Sequence, residues 1–257
     1  RHLLILSVLQ EKPVVTVHEL VALTKSSEAT IRRDIAALHQ KNKLHRMRGG
    51  AEAKNTRAYP EATGRSFASN QNINVVRKRA IARAAVAMCE DSDAIIINGG
   101  TTTFQMVHYL TRRHLQVFTN SLPLANHLLD HTQNTVIVPG GRIYRDQNMI
   151  LSPFKNDGSK HFQAQKMVMG AHGIGAMGVL EIDNLIVQAE EKLIDQAEEI
   201  IVLVDSSKFD IRTSLVLCPL TRISTLITDT GLSSQARDMV QEAGVKLVTV
   251  EAPQDPS

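Results

Sequence analysis

The chain has 257 residues, of which 43% are hydrophobic and 21% charged, with no Trp. This is the composition of a globular protein with one large or two unequal domains, and it excludes disordered and collagen-like classes. No apolar run reaches the ~18 residues that a membrane span needs. Cys89 and Cys218 lie far apart and form no disulfide framework, so the expectation is a cytoplasmic protein with reduced thiols. The chain opens Arg1-His2 without a Met, so its natural start is expected upstream.

The formal charge of +3 hides an asymmetry: residues 1–58 carry a net +6 and the remainder a net −3. A cationic head on a weakly acidic body is the footprint of a protein that meets nucleic acid at one end. In the head, Ile5, Val8 and Leu9 mark a first amphipathic helix that Pro13 ends. Val14-Val15 make a short extended link. Thr16-Val17-His18-Glu19 has the Thr and Glu spacing of a capping box, and Val17, Leu20 and Val21 give a second helix ending near Thr24.

The third helix is the stretch on which the head turns. Ile31, Ile35 and Leu38 fall on one stripe, which needs a core. The other side shows Ser26, Ala29, Thr30 and Arg33, with Arg32 on the flank, while Ser26 or Ser27 supplies a cap and Glu28 suits the helix start. Two short helices, a brief turn and a polar-faced helix make a helix-turn-helix. Leu44-His45-Arg46-Met47-Arg48, broken by Gly49-Gly50, then reads as the strand and turn of a wing. In a major groove, Arg33 and Thr30 are candidates for base edges and Ala29 for a thymine methyl. Arg32, Lys43, Arg46 and Arg48 are candidates for phosphates. The expected head is residues 1–55.

Residues 56–74 are polar and turn-rich, with Pro60, Gly64, Ser66, Ser69, Asn70 and Asn72, and read as a linker. Arg77 to Met88 reads as a helix with Ile81, Ala84, Ala85 and Met88 inward and a solvated or inter-subunit basic face of Arg77, Lys78, Arg79 and Arg83.

In residues 75–257 short apolar strands alternate with helices: Ala94–Ile97 before Thr101–Leu110, Gln116–Phe118 before Leu122–Leu129, then Thr135–Val138, Lys166–Met169, Ile200–Val204, Leu226–Ile227 before Ser233–Ala243, and Lys246–Val250. This pattern predicts an α/β domain with a mostly parallel sheet covered on both faces. Polar residues gather where strands stop: Asn98, Gly99, Gly100, Thr101, Thr102 and Thr103; Thr119, Asn120 and Ser121; Gly140, Gly141 and Arg142; His172 among glycines; Asp205 and Lys208. Ligands of open α/β sheets bind beyond the carboxyl ends of strands, and a Gly-rich turn feeding a Thr-rich helix start suits a phosphate. Each element also has a plainer reading. A Gly-Gly is a tight turn, a Thr run is a cap, and Lys208 is an internal partner of Asp205.

Ala29-Thr30-Ile31-Arg32-Arg33-Asp34, followed by Leu38, Leu44 and Arg48-Gly49-Gly50-Ala51, resembles the signature of the DeoR family of bacterial transcriptional repressors. The body is similar to that family's effector domain through Gly100–Thr103, Thr119–Leu122, Gly140-Gly141 and Asp205–Phe209. The resemblance implies a winged helix-turn-helix followed by a fold like that of ribose-5-phosphate isomerase, glucosamine-6-phosphate deaminase and CoA transferases. It also implies a repressor of a carbohydrate-utilisation operon, controlled by a phosphorylated sugar, acting without cofactor as a homodimer or homotetramer on operator DNA. Pro123-Leu124-Ala125-Asn126 and Leu151-Ser152-Pro153 resemble the ascorbate-utilisation repressor branch. Asn98 stands where this family usually has Asp, and Gln188 where it usually has Glu, which removes acids from expected pocket positions and argues against turnover.

Two other functions compete. One is a sugar-phosphate isomerase or deaminase with an added DNA-binding head, with Asp183, Glu190 or Asp205 as the base. The other is a metal sensor using His127 and His131 at helical i,i+4 spacing, for which two surface histidines are the plainer reading.

Overall fold

The computed structural model describes residues 1–11, 14–41, 43–47, 49–53, 66–152 and 157–252. Pro13, Arg48, Pro153 and residues 56–65 of the expected linker lie outside these. The chain divides into two compact units, residues 1–64 and 65–257.

The first unit runs α1 (His2–Glu11), β1 (Val14–Thr16), α2 (Val17–Thr24), α3 (Glu28–Gln40), β2 (Leu44–Met47) and β3 (Gly50–Ala53). Thr16 and Glu19 close the expected capping box at the start of α2. Lys25 takes a left-handed conformation that ends it, and the Ser27 hydroxyl accepts from the Thr30 N–H to start α3. The α3 stripe is buried with Ile5, Leu9, Val17, Leu20 and Leu44 in one core. The link at Val14-Val15 is more than a connector: β1 pairs antiparallel with β3, which pairs with β2. This pairing explains the two glycines. Gly49 has φ +87°, and a Cβ on Gly50 would collide with the Val15 carbonyl oxygen.

The second unit begins with α4 (Phe67–Asn70) and α5 (Val75–Ala87). Phe67 is buried and its N–H donates to the Asp146 carbonyl, so the described part of the expected linker is packed structure belonging to this unit. There follow β4 (Ala94–Ile97), α6 (Thr101–Phe104), β5 (Gln116–Thr119), α7 (Leu122–His131), β6 (Thr135–Ile137), β7 (Arg142–Tyr144), β8 (Met149–Leu151), β9 (Ala164–Met169), β10 (Gly173–Gly175), β11 (Gly178–Glu181), α8 (Asn184–Ile194), β12 (Ala197–Leu203), β13 (Leu215–Cys218), β14 (Thr225–Asp229), α9 (Ser234–Glu242) and β15 (Lys246–Val250).

A seven-stranded parallel sheet has the order β15-β14-β12-β9-β4-β5-β6. Successive residues point to opposite faces, so both faces of these apolar strands need cover. Ile96, Met167, Met169, Ile200 and Val202 meet Val187, Leu193 and Val240 on one side. Ile95, Ile97, Val168, Ile201 and Leu203 meet Ile81, Ala85, Leu124 and Leu128 on the other. From β4 the chain builds outward through β5 to β6, then returns to lay β9 on the opposite side of β4 and builds away through β12. The β4/β9 boundary is therefore the switch point, where an open α/β sheet leaves a crevice beyond its strand ends. Two smaller pieces were not foreseen: an antiparallel sheet β10-β11-β13 and the hairpin β7-β8.

Removing the Ile31 side chain leaves a cavity in the small head core. Ile31→Ala should cost about 2–5 kcal/mol. Chemical denaturation followed by circular dichroism should show a lower-midpoint transition for the head and an unchanged one for the body. A single shifted transition would contradict two independently cored units.

Candidate functional site

Two surfaces gather the candidate residues, one in each unit. On α3, Ala29, Arg32 and Arg33 are exposed, while Ile31, Asp34, Ile35 and Leu38 are buried. Arg32 lies against Glu28 one turn earlier. An exposed pair of this kind contributes little, so Arg32 can leave it at small cost. Ser26 is half-buried and donates to the Thr24 carbonyl. Thr30 shares its hydroxyl with Ser27 at 2.8 Å, which engages it in the cap. Lys43 and Arg46 are exposed in and beside β2. Asp34, unassigned from sequence, is held by Arg1 and His2 from the start of α1, and the hydrogen bond from Arg1 keeps its carboxyl below the ordinary range. The acid of the Arg-Arg-Asp triplet thus ties α1 to α3.

The second surface is a cleft of about 90 Å³ at the β4/β9 switch point. Its walls come from the β4 turn (Asn98–Thr102), the β9 turn (Gly170–His172), the β7-β8 hairpin (Gln147, Met149), the end of β11 (Glu181, Ile182), α8 (Ile186, Glu190), Asn70 and Lys208. The structure brings together Asn98, Gly99, Gly100, Thr101, Thr102, His172 and Lys208 from the sequence reading.

It does not bring the others. Thr103 is buried and spends its hydroxyl on the Asn98 carbonyl. Thr119 accepts from the Ser121 N–H, and Ser121 caps α7. Asn120 stands behind the turn, where it accepts from the Gly99 N–H at 2.7 Å, and lines a separate small hollow. Gly140 and Gly141 are the tight turn of the plainer reading: a Cβ on Gly141 would lie 2.6 Å from the Leu151 carbonyl. Arg142 is exposed away from the cleft. Asp205 is buried, accepting from Asn74 and Ser207, so it organises the turn that carries Lys208. Gln188 is exposed and Asp183 caps α8. Of the two positions expected to lose a pocket acid, Asn98 lines the cleft and Gln188 does not, and the cleft still holds Glu181 and Glu190.

The helix after Gly100 is also shorter than expected. It spans only Thr101–Phe104 before tightening into 3-10 turns, so it supplies little macrodipole. Positive charge comes from side chains instead. Lys78, read as part of a solvated face, is 3% exposed and donates to the Asn70 carbonyl and the Thr101 hydroxyl at 2.7 and 2.9 Å. Since Thr101 accepts from Lys78, its own O–H is left to donate. The signal was available: Lys78 shares the stripe of Ile81, Ala82 and Ala85, at i+3, i+4 and i+7.

The cleft floor is acidic. Burial pushes Glu181 up to about 7, against the opposing N–H donors of Ile182 and His172. Burial, with Glu181 nearby, holds Glu190 well above the ordinary carboxylate range. Burial and then the Lys208 charge push His172 below the ordinary imidazole range. Asn98 donates to Glu190 and accepts from the Gly170 N–H at 3.0 Å. An Asp at 98 would set a third carboxyl against that pair. His127 and His131 stack at 4.4 Å, and no group of three metal-ligating side chains occurs among the described residues.

The DeoR C terminal sensor domain matches residues 73–230, and the DeoR-like helix-turn-helix domain matches residues 1–57. Over 250 residues the chain is 32% identical to the HTH-type transcriptional regulator UlaR of Shigella dysenteriae serotype 1 (strain Sd197), covering 97% of this chain and 98% of the relative. The same figures hold for UlaR of Escherichia coli (strain K12 / DH10B). Among solved structures it is similar to ribose 5-phosphate isomerase A from Methanocaldococcus jannaschii, with 15% identity, a TM-score of 0.39, and coverage of 51% of this chain and 53% of that one.

A raised acid stabilises the fold where it is protonated in both states and loses that advantage as pH rises through its folded value. The body should therefore lose stability between about pH 5 and about pH 8, and Glu181→Gln should flatten the decline. Thermal melts across that range test this. An unchanged slope in the variant would place the dependence elsewhere.

Proposed function

The chain belongs to the DeoR family of transcriptional regulators, and on that premise we propose that it represses a carbohydrate-utilisation operon under the control of a phosphorylated sugar held in the switch-point cleft. The observation that carries the reading is that cleft. It joins Thr101, Thr102 and Lys208, which suit a phosphate, to two carboxyl groups, which suit hydroxyls.

At the other end, the exposed face of α3 enters a major groove, with Arg33 reaching a base edge. Arg32, Lys43 and Arg46 fix its position on phosphates. One head offers little surface, so operator binding needs at least a homodimer on a two-part site. Ligand binding shifts the subunit arrangement only if the two arrangements hold it with different affinity. The described residues contain no helix long and apolar enough to cross a membrane, and we assign the protein to the cytoplasm, where operator DNA is.

We read the body as a sensor rather than a catalyst. Glu190 is tied to Asn98 at the end of β4, and burial holds it well above the ordinary carboxylate range. The competing isomerase or deaminase reading would be supported by product formation when the chain is incubated with pentose and hexose phosphates.

Two substitutions separate the modules. Arg33→Ala should remove about 1–3 kcal/mol of discrimination on an operator fragment selected from a random-sequence pool. It should leave intact the thermal shift caused by a bound sugar phosphate. Thr102→Ala should blunt that shift, which is about 2.7 kcal/mol at 100 times Kd in the parent chain, and leave operator affinity unchanged. Equal damage to both properties by both substitutions would refute the assignment of roles.

A further inference from the structure

Glu190 is 2% exposed, yet its Oε2 has no hydrogen-bond partner among the described residues. The other end of the interaction is fixed by geometry. Asn98 Oδ1 must face the Gly170 N–H, which can only donate, so Asn98 Nδ2 must face Glu190 Oε1. Glu190 Oε1 is therefore an acceptor, and any proton on the group sits on Oε2.

The neighbouring acid decides whether that proton is present. Glu181 lines the same cleft, and each of its oxygens accepts a backbone N–H, from His172 at 3.2 Å and Ile182 at 3.3 Å. Donors to a carboxylate favour its charged form. Glu190 has one such donor and an orphan oxygen, and a buried, half-satisfied charge beside a second carboxylate is costly. Of the two, Glu190 keeps the proton, in line with the stronger upward push on it.

Both glutamates line the cleft, Glu190 with an Oε2 that has no partner among the described residues and Glu181 with oxygens that accept. A hydroxyl group satisfies both at once, because it accepts through its oxygen and donates through its hydrogen. A ligand carboxylate cannot donate, and it would add charge beside Glu181. We propose, resting on the reading of the cleft as a sugar-phosphate seat, that Glu190 is a protonated carboxyl that donates through Oε2 to a hydroxyl of the effector while Glu181 accepts from one, so that the cleft takes phosphorylated compounds with an uncharged, hydroxyl-bearing end and rejects phosphorylated sugar acids.

Isothermal titration of the full chain tests this with glucose 6-phosphate, fructose 6-phosphate and ribose 5-phosphate, against 6-phosphogluconate and hexyl phosphate. At least one sugar phosphate should bind, and the acid and the alkyl phosphate should bind at least about tenfold more weakly than it. Glu190→Gln keeps a donor at the Oε2 position in neutral form and should retain affinity within about threefold, whereas Glu190→Leu should lose about tenfold or more. The comparison of probes on the unmodified chain stands even if the Leu variant misfolds. Equal or tighter binding of 6-phosphogluconate or hexyl phosphate overturns the inference, as does a Gln variant that binds as weakly as the Leu variant. In those cases the sugar-phosphate reading survives. No heat from any of the three sugar phosphates overturns that reading and this inference with it.

Discussion

One side-chain amide holds the cleft open at the right place. Asn98 ends β4, takes the N–H that follows β9, and gives its own N–H to Glu190 on α8. The bond to Gly170 spans the two strands at which the chain reverses its direction of building. Behind it, Asn120 performs a similar task between β4 and β5 by taking the Gly99 N–H. Because these amides occupy the backbone groups nearest the sheet, the turn from Gly99 to Thr102 is positioned from beneath. Its outer surface is left for a ligand.

The head follows the same economy of one face for structure and one for contact. Ile31, Ile35 and Leu38 reach the core, and Asp34 on the same side is taken by α1. Outward stand Ala29, Arg32 and Arg33, with Glu28 beside Arg32. The wing adds Arg46 from a sheet whose third strand is the link before α2. A helix fixed on one side by a core and an ion pair presents its other side with little freedom, which is what a reading surface requires.

Much of this was legible because helical and strand periodicity dominate both units. The capping box, the α3 stripe and most parallel strands follow from spacing alone. What escaped has identifiable causes. The strands of β10-β11-β13 are only three or four residues long, and β10 and β11 carry Gly, so they carry no alternation long enough to read. Thr103, Thr119 and Ser121 look like ligand residues because small hydroxyls serve turns and ligands alike, and only packing tells which partner they have. Arg142 and the Gly140-Gly141 turn follow a strand at the sheet edge, two strands from the switch point, so strand-end chemistry alone misplaces them. Lys78 was misread because charge was weighed above its position on the buried stripe. Glu181 sits at the end of one of those short strands, where no periodicity marks it.

Regulation requires coupling between the cleft and the grip on DNA. The direct test is operator affinity of the full chain, measured by fluorescence anisotropy with and without a sugar phosphate that binds the body. A coupling of about 1–3 kcal/mol predicts operator binding weakened at least about fivefold at saturating ligand. Saturation of the body by that ligand with operator affinity unchanged would contradict it.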